Sequence, residues 1–154
     1  MRKLKPGDAA PKFSLVDQNG SKVSLSDFKG NKLLVYFYPR AMTTGCTRQA
    51  ENVRDHLAQL TKLGVAAVGI SPDTPERQKK FDDKYHLGFP LLSDADHSMA
   101  KAWGAWGEKT MYGKKLEGII RSSFLVDERG KITHVWYNIK PDQTAPEAQK
   151  SLRD

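Results

Sequence analysis

Residues 32 to 46 read KLLVYFYPRAMTTGC: an apolar run, a proline at 39, and at 46 the only cysteine of the chain. Lys32 to Tyr38 is rich in strand formers at nearly every position, which suits a strand buried on both faces in the middle of a covered sheet. Beyond the cysteine, Ala50, Val53, Leu57, Leu60 and Leu63 recur at three- and four-residue steps. That is the stripe of an amphipathic helix, and Gly64 ends it. A buried strand feeding an amphipathic helix, with a thiol at the junction, predicts an α/β fold.

The flanking sequence extends the pattern. Upstream, FSLVDQNGSKVSL alternates apolar and polar residues around Asn19-Gly20, a pair that tolerates the positive φ of a tight turn and predicts an N-terminal β-hairpin. Downstream, Val65 to Ile70 is a second buried strand. Thr74-Pro75 reads as an N-cap followed by proline at the first helical position, with Phe81 and Tyr85 on one face of the helix. Leu91-Leu92 predicts a short strand and His97 to Trp103 a short helix. Ser122 to Val126 and Ile132 to Trp136 are strands joined by the turn DERG. A last helix is predicted after Pro146. Strands alternating with helices imply parallel pairing through right-handed crossovers, and the closing hairpin adds antiparallel strands. The expectation is one domain over 1–154, a mixed central sheet with helices on both faces.

Composition narrows the function. With 38% apolar and 28% charged residues, the 154-residue chain is an ordinary globule rather than a disordered tail. It holds no apolar run near the roughly 20 residues that span a bilayer, and MRKLKPGDAAPKF lacks the apolar centre of a signal peptide. A cytoplasmic location is expected. The net charge of +7 is scattered among acids, as in PERQKKFDDK, so solvated faces explain it better than nucleic acid does. One cysteine excludes an intrachain disulfide and a multi-cysteine zinc site. His56, His86, His97 and His134 show no metal-ligand spacing, so neither metal nor cofactor is expected.

Cys46 falls in or just before the first helical turn. Unpaired N–H groups point outward there, the helix dipole favours negative charge, and such a location favours the reactive thiolate. Gly45 would allow a small substrate to approach the backbone, and Pro39 fixes the preceding turn. Free cysteines are also among the most buried residues. From these residues alone, inert packing and nucleophilic chemistry both stand.

A resemblance separates them. Pro39, Thr43 and Cys46 match the P-x-x-x-T-x-x-C signature of the peroxiredoxins. GDAAPKFSLVDQNGSKVSLSDFKG, VYFYPRAMTTGCT, GVAAVGISPD, FPLLSDADH, AWGEKTMYGK and GIIRSSFLVDERGKI all resemble the peroxiredoxin Q, or bacterioferritin comigratory protein, subfamily. The resemblance implies a thioredoxin-like fold and a thiol peroxidase acting on hydrogen peroxide and organic hydroperoxides. It implies that Cys46 is the peroxidatic thiolate that becomes a sulfenic acid, and that the Thr43 hydroxyl orients the peroxide. Arg121 of GIIRSSF would stabilise charge on the departing oxygen. Pro39 would shield the pocket, and the N–H groups of Gly45 and Cys46 would add donors. Arg48 is expected to face away from the sulfur, and Arg40 to point to solvent. Trp103 and Trp106 are more simply core residues than pocket walls.

The chain departs from the subfamily at four positions. A resolving cysteine often stands five residues after the peroxidatic one or in the next helix; Glu51 and Asp82 occupy those places. A one-Cys mechanism follows, completed by an external thiol such as thioredoxin, glutaredoxin or a small thiol, in a protein expected to be monomeric. A redox sensor that oxidises Cys46 without substantial turnover is the alternative. Thr44 replaces a common proline, which is expected to loosen the loop with little effect on the chemistry. Gln49 replaces a common glutamate.

Overall fold

The structure, a computed structural model, describes residues 3–153. In chain order its strands are β1 (Ser14–Val16), β2 (Lys22–Ser24), β3 (Lys32–Phe37), β4 (Val65–Ser71), β5 (Leu91–Ser93), β6 (Trp106–Met111), β7 (Lys114–Ile119), β8 (Ser122–Val126) and β9 (Ile132–Tyr137). The helices are α1 (Thr44–Lys62), α2 (Pro75–Tyr85), α3 (Ser98–Ala102) and α4 (Thr144–Arg153). Seven strands form one sheet in the order β2-β1-β5-β4-β3-β8-β9. β3 lies near its middle, parallel to β4 on one side and antiparallel to β8 on the other. The expected N-terminal hairpin forms the sheet edge, with Leu15 opposite Val23.

Strand β3 divides the core. Leu33, Val35 and Phe37 pack on one side with Phe13, Met99, Trp103 and Phe124. Leu34, Tyr36 and Tyr38 pack on the other with Cys46, Ala50, Val53, Leu60, Phe81, Ala145 and Ala148. Alternation of side chains along an extended strand makes this division unavoidable. Helices therefore cover both faces, three on the Cys46 side and the short α3 opposite. Trp103 is fully buried in the layer away from Cys46, edge-on to Phe124 at 5.1 Å, so it is core and no wall of a Cys46 pocket. Across the parallel ladder Gly69 pairs with Tyr36, and a Cβ there would lie 2.8 Å from the Tyr36 ring. Only glycine leaves that phenol its space.

Helix caps follow the residues expected to make them. The Thr74 hydroxyl accepts from the Arg77 amide, with Pro75 at the first helical position. In the DERG turn, Asp127 Oδ1 accepts from the amides of Arg129 and Lys131.

Three features differ from expectation. First, β6 and β7 form a separate two-stranded ribbon, turning at Tyr112 (φ 53°) and Gly113 (φ 76°). Its residues, WGEKTM and KKLEGI, are too polar to carry a strand signal, because the ribbon stands outside the main sheet. Second, α4 starts at Thr144, before Pro146. Proline is tolerated there because first-turn N–H groups have no helical partner to lose. Third, Leu63 lies past the end of α1 and is 38% exposed, so the apolar stripe stops at Leu60.

Candidate active site

The site is built where β3 hands the chain to α1. Pro39 is half-buried, Ala41 is buried, and Met42 takes a left-handed φ of 72°. Thr43 is the N-cap of α1, in extended conformation at φ −81° and ψ 158°. Its hydroxyl does not cap forward; it donates back to the Arg40 carbonyl at 2.8 Å, and the residue is exposed. The first helical hydrogen bond runs from the Thr47 amide to the Thr43 carbonyl. The amides of Gly45 and Cys46 precede it, at the end of the helix that attracts anions.

Cys46 is 1% exposed, with its sulfur at the top of the core layer that contains Tyr36 and Tyr38. Arg121 reaches it from 75 residues along the chain. The antiparallel ladder places Ser122 opposite Phe37, so the preceding Arg121 comes level with the end of β3, where the chain turns toward Cys46. Both terminal nitrogens of the guanidinium donate to Sγ at 3.6 Å. A planar fork that cannot be deprotonated thus straddles the sulfur.

Two further residues hold this fork. Gln49 is fully buried; its Oε1 accepts from Arg121 Nη1 at 2.7 Å, and its Nε2 donates to Thr144 Oγ1 at 2.9 Å. The amide therefore aims Arg121 without neutralising it and ties it to the start of α4. Its position three residues after Cys46 puts it on the same helix face, a signal available in the sequence, where no consequence was assigned to it. Gly45 has a part beyond the one expected. A Cβ there would come within 3.1 Å of Arg121 Nη2 and 3.9 Å of the Pro141 ring. The missing side chain is the space the guanidinium occupies.

The other cations do not contact the sulfur. Arg40 is exposed, and Arg48 pairs with Asp142 at the surface. Lys109 on β6 is half-buried; burial pulls its ammonium below the ordinary lysine range, and Arg121 adds to the effect, so the ribbon lies within the electrostatic reach of the site. Burial pushes the Tyr36 and Tyr38 phenols up, and nearby negative charge, Cys46 included, pushes in the same direction, so the floor of the site is neutral.

Both places where a second thiol was sought are committed elsewhere. Glu51 lies 3.7 Å from Arg54. Asp82 accepts from the amides of Leu87 and Gly88 and from Gln18 Nε2, closing the C-terminal end of α2. Among the described residues no group of three or more His, Cys, Asp or Glu could hold a metal ion. A cavity of about 440 Å³ opens on the opposite face of the sheet, between Phe13, Leu25, Phe28 and Val126. Volume does not mark the reactive site here; chemistry does. A sulfur at a helix N-terminus under a bidentate cation is arranged to attack a polarised bond and to stabilise the anion that leaves.

Comparison with known proteins agrees with that chemistry. The AhpC/TSA family model matches residues 6–135. Peroxiredoxin Bcp of Escherichia coli K12 is 54% identical over 140 residues, 91% of this chain and 90% of that protein. A Xanthomonas campestris bacterioferritin comigratory protein, solved in a study of its alkyl peroxide reduction, superposes with a TM-score of 0.86 at 31% identity, covering 92% of this chain and 90% of that one. A cysteine-to-serine mutant of Xylella fastidiosa PrxQ superposes with a TM-score of 0.92 at 29% identity, covering 99% and 98%.

Proposed function

The chain belongs to the AhpC/TSA family and is a peroxiredoxin, a thiol-dependent peroxidase, and from that premise we propose that Cys46 is its peroxidatic thiolate. The observation that carries the assignment is the Arg121 fork at 3.6 Å from Sγ, above the open amides of the α1 N-terminus. The thiolate attacks one oxygen of a hydroperoxide. An S–O bond forms as the O–O bond breaks, and sulfur is oxidised by two electrons. The proton of the attacked oxygen passes to the departing one, which leaves as water or an alcohol. The sulfenate takes up a proton from solvent to become the sulfenic acid. Charge grows on both oxygens during this step. Donors already in place act mainly on the transition state.

Thr43 is assigned the orientation of the peroxide. Its hydroxyl proton is held by the Arg40 carbonyl, so its lone pairs are left to accept from the O–H of the substrate. Pro39 shields the mouth, and the amides of Gly45 and Cys46 supply further donors. Hydrogen peroxide and organic hydroperoxides are the substrate class. With one cysteine in the chain, the sulfenic acid is resolved by an outside thiol. That thiol displaces water to give a mixed disulfide, and a second thiol releases Cys46. Thioredoxin, glutaredoxin and small thiols are the candidate reductants, acting on a cytoplasmic monomer; the reducing poise of the cytoplasm favours this cycle. Reductant trials and the elution volume of the native protein test these points separately.

Peroxide added to the reduced protein should give one dione-trappable sulfenic acid per chain, at Cys46. Cys46→Ser should abolish trapping and turnover. Thiol-dependent turnover persisting in that variant would refute the assignment.

A further inference from the structure

A second group of polar residues, buried except for the half-exposed Arg77, lies behind the active-site loop and takes no part in the proposed chemistry. Ala41 is a buried residue two positions after Pro39, and both its backbone groups are held by side chains. Its amide donates to Asp73 Oδ2 at 2.7 Å, and its carbonyl accepts from Arg77 Nη2 at 3.0 Å. Asp73 Oδ1 and Arg77 Nε form an ion pair at 3.0 Å, which closes a ring around a single residue of the loop. The Asp73 side chain is only 7% exposed.

Deeper in the core the ring is braced. Ser71 Oγ donates to Asp73 Oδ2 at 2.7 Å, and Gln78 Nε2 donates to Ser71 Oγ at 2.9 Å and to the Leu92 carbonyl at 3.1 Å. Tyr38, the last residue of the β3 run, donates to Gln78 Oε1. The side chains belong to β4, to the turn after it, to the first half of α2 and to the exit of β3, and the Leu92 carbonyl to β5. The ring therefore refers the loop to the rigid sheet. Immediately beyond it, Met42 takes the left-handed φ of 72° that turns the chain into the Thr43 N-cap. This region is uncommon for a non-glycine residue and costs free energy, which anchoring of its neighbours offsets.

We propose that Asp73 and Arg77 are positioning residues for the peroxide reaction: by fixing both sides of Ala41 they hold the Met42 turn, and so set the Thr43 hydroxyl against Cys46 Sγ. The inference rests on Cys46 being the residue that meets peroxide. Neither side chain contacts the sulfur, and Arg121 approaches from the other side, held by Gln49. Loss of the ring thus displaces Thr43 while leaving Arg121, the cation in contact with the thiol, in place. A misplacement near 1 Å is enough to slow a preorganised reaction by about 100-fold.

The test compares two reagents on the full-length chain. Rates of Cys46 oxidation by hydrogen peroxide and of alkylation by iodoacetamide are measured across pH for Asp73→Asn, Arg77→Met and Arg77→Lys, with thermal unfolding recorded in parallel. Peroxide needs the positioned hydroxyl; iodoacetamide needs chiefly the thiolate. The expected result is a loss of about 10- to 100-fold with peroxide in Asp73→Asn and Arg77→Met. Alkylation rate and its pH midpoint should stay unchanged, and Arg77→Lys should recover part of the loss. Folded variants whose peroxide rate stays within about twofold of the parent would overturn the proposal. Parallel changes with both reagents would also overturn it, since they report general loosening around a buried thiol. If the parent itself shows no peroxide oxidation at Cys46, the failure lies with the peroxidatic assignment and not with the ring.

Discussion

Replacing Gly45 with alanine separates stability from reactivity at one atom. Gly45 is the second residue of α1, with no positive φ, so its backbone accepts a side chain. In an exposed helix interior the exchange gains about 0.5–1 kcal/mol; a gain up to that size is expected here. The new methyl, however, would stand 3.1 Å from Arg121 Nη2. Ordinary contact requires the guanidinium to withdraw by a few tenths of an ångström. Gln49 holds its other nitrogen at 2.7 Å, so the fork must tilt rather than slide. Moving a unit charge from 3.6 Å to about 4.0 Å at an effective dielectric of about 20 weakens its attraction for the sulfur by only ~0.5 kcal/mol, roughly twofold in rate. The larger effect comes from misaimed donors, since complete loss of one preorganised donor costs about 100- to 1,000-fold. A partial tilt should cost about 10-fold in all. Stopped-flow oxidation with intact-mass readout measures the rate, and thermal unfolding the stability. A variant at least as stable as the parent and equally fast with peroxide would refute the idea that the position of the Arg121 fork governs the reaction.

Further outcomes follow from neighbouring residues. Thr44→Pro places proline at the first helical position, behind a Thr43 already in the extended conformation that a following proline demands. Stability should rise by about 0.4–1 kcal/mol in chemical denaturation, with the peroxide rate within a few-fold of the parent; a change of orders of magnitude would be the wrong outcome. Tyr36 and Tyr38 are both fully buried with phenols pushed up, so the folded state keeps protons that the unfolded state releases. Stability should therefore fall as pH rises beyond about 10, by about 1.4 kcal/mol per pH unit for each phenol. Tyr36→Phe should reduce that slope and gain about 1 kcal/mol at neutral pH, because its buried hydroxyl has no partner among the described residues. Tyr38→Phe should reduce the slope equally but cost about 1–3 kcal/mol, because it strips the buried Gln78 carbonyl of its donor.

Local pattern was enough for most of the fold. An apolar run such as Lys32–Tyr38 has few places to go but the centre of a covered sheet, and the caps at Thr74 and the DERG turn act over three or four residues. The β6–β7 ribbon escaped because most of its residues are charged or small and only its base, Trp106 and Ile119, packs on the core, so no periodicity records its pairing. The start of α4 escaped because proline reads as a boundary when it lies within a first turn. At the site, Pro39, Gly45 and Cys46 stood out from their place between strand and helix, while the parts of Thr43 and Arg121, and the choice of nucleophile over inert packing at Cys46, came only through resemblance.

The sequence by itself determined that there is one thiol, at the junction of a buried strand and a helix, with no second thiol to answer it. Tertiary structure alone decided how that thiol is served. The β3–β8 register carries Arg121 across 75 residues to the sulfur. Gly45 then leaves the guanidinium its space, Gln49 aims it, and the Asp73–Arg77 ring grips the loop from behind. None of these contacts lies in local periodicity. Each exists only once strands and helices distant in the chain have packed, because hydrogen-bond geometry is a property of positions in space rather than of spacing along a chain.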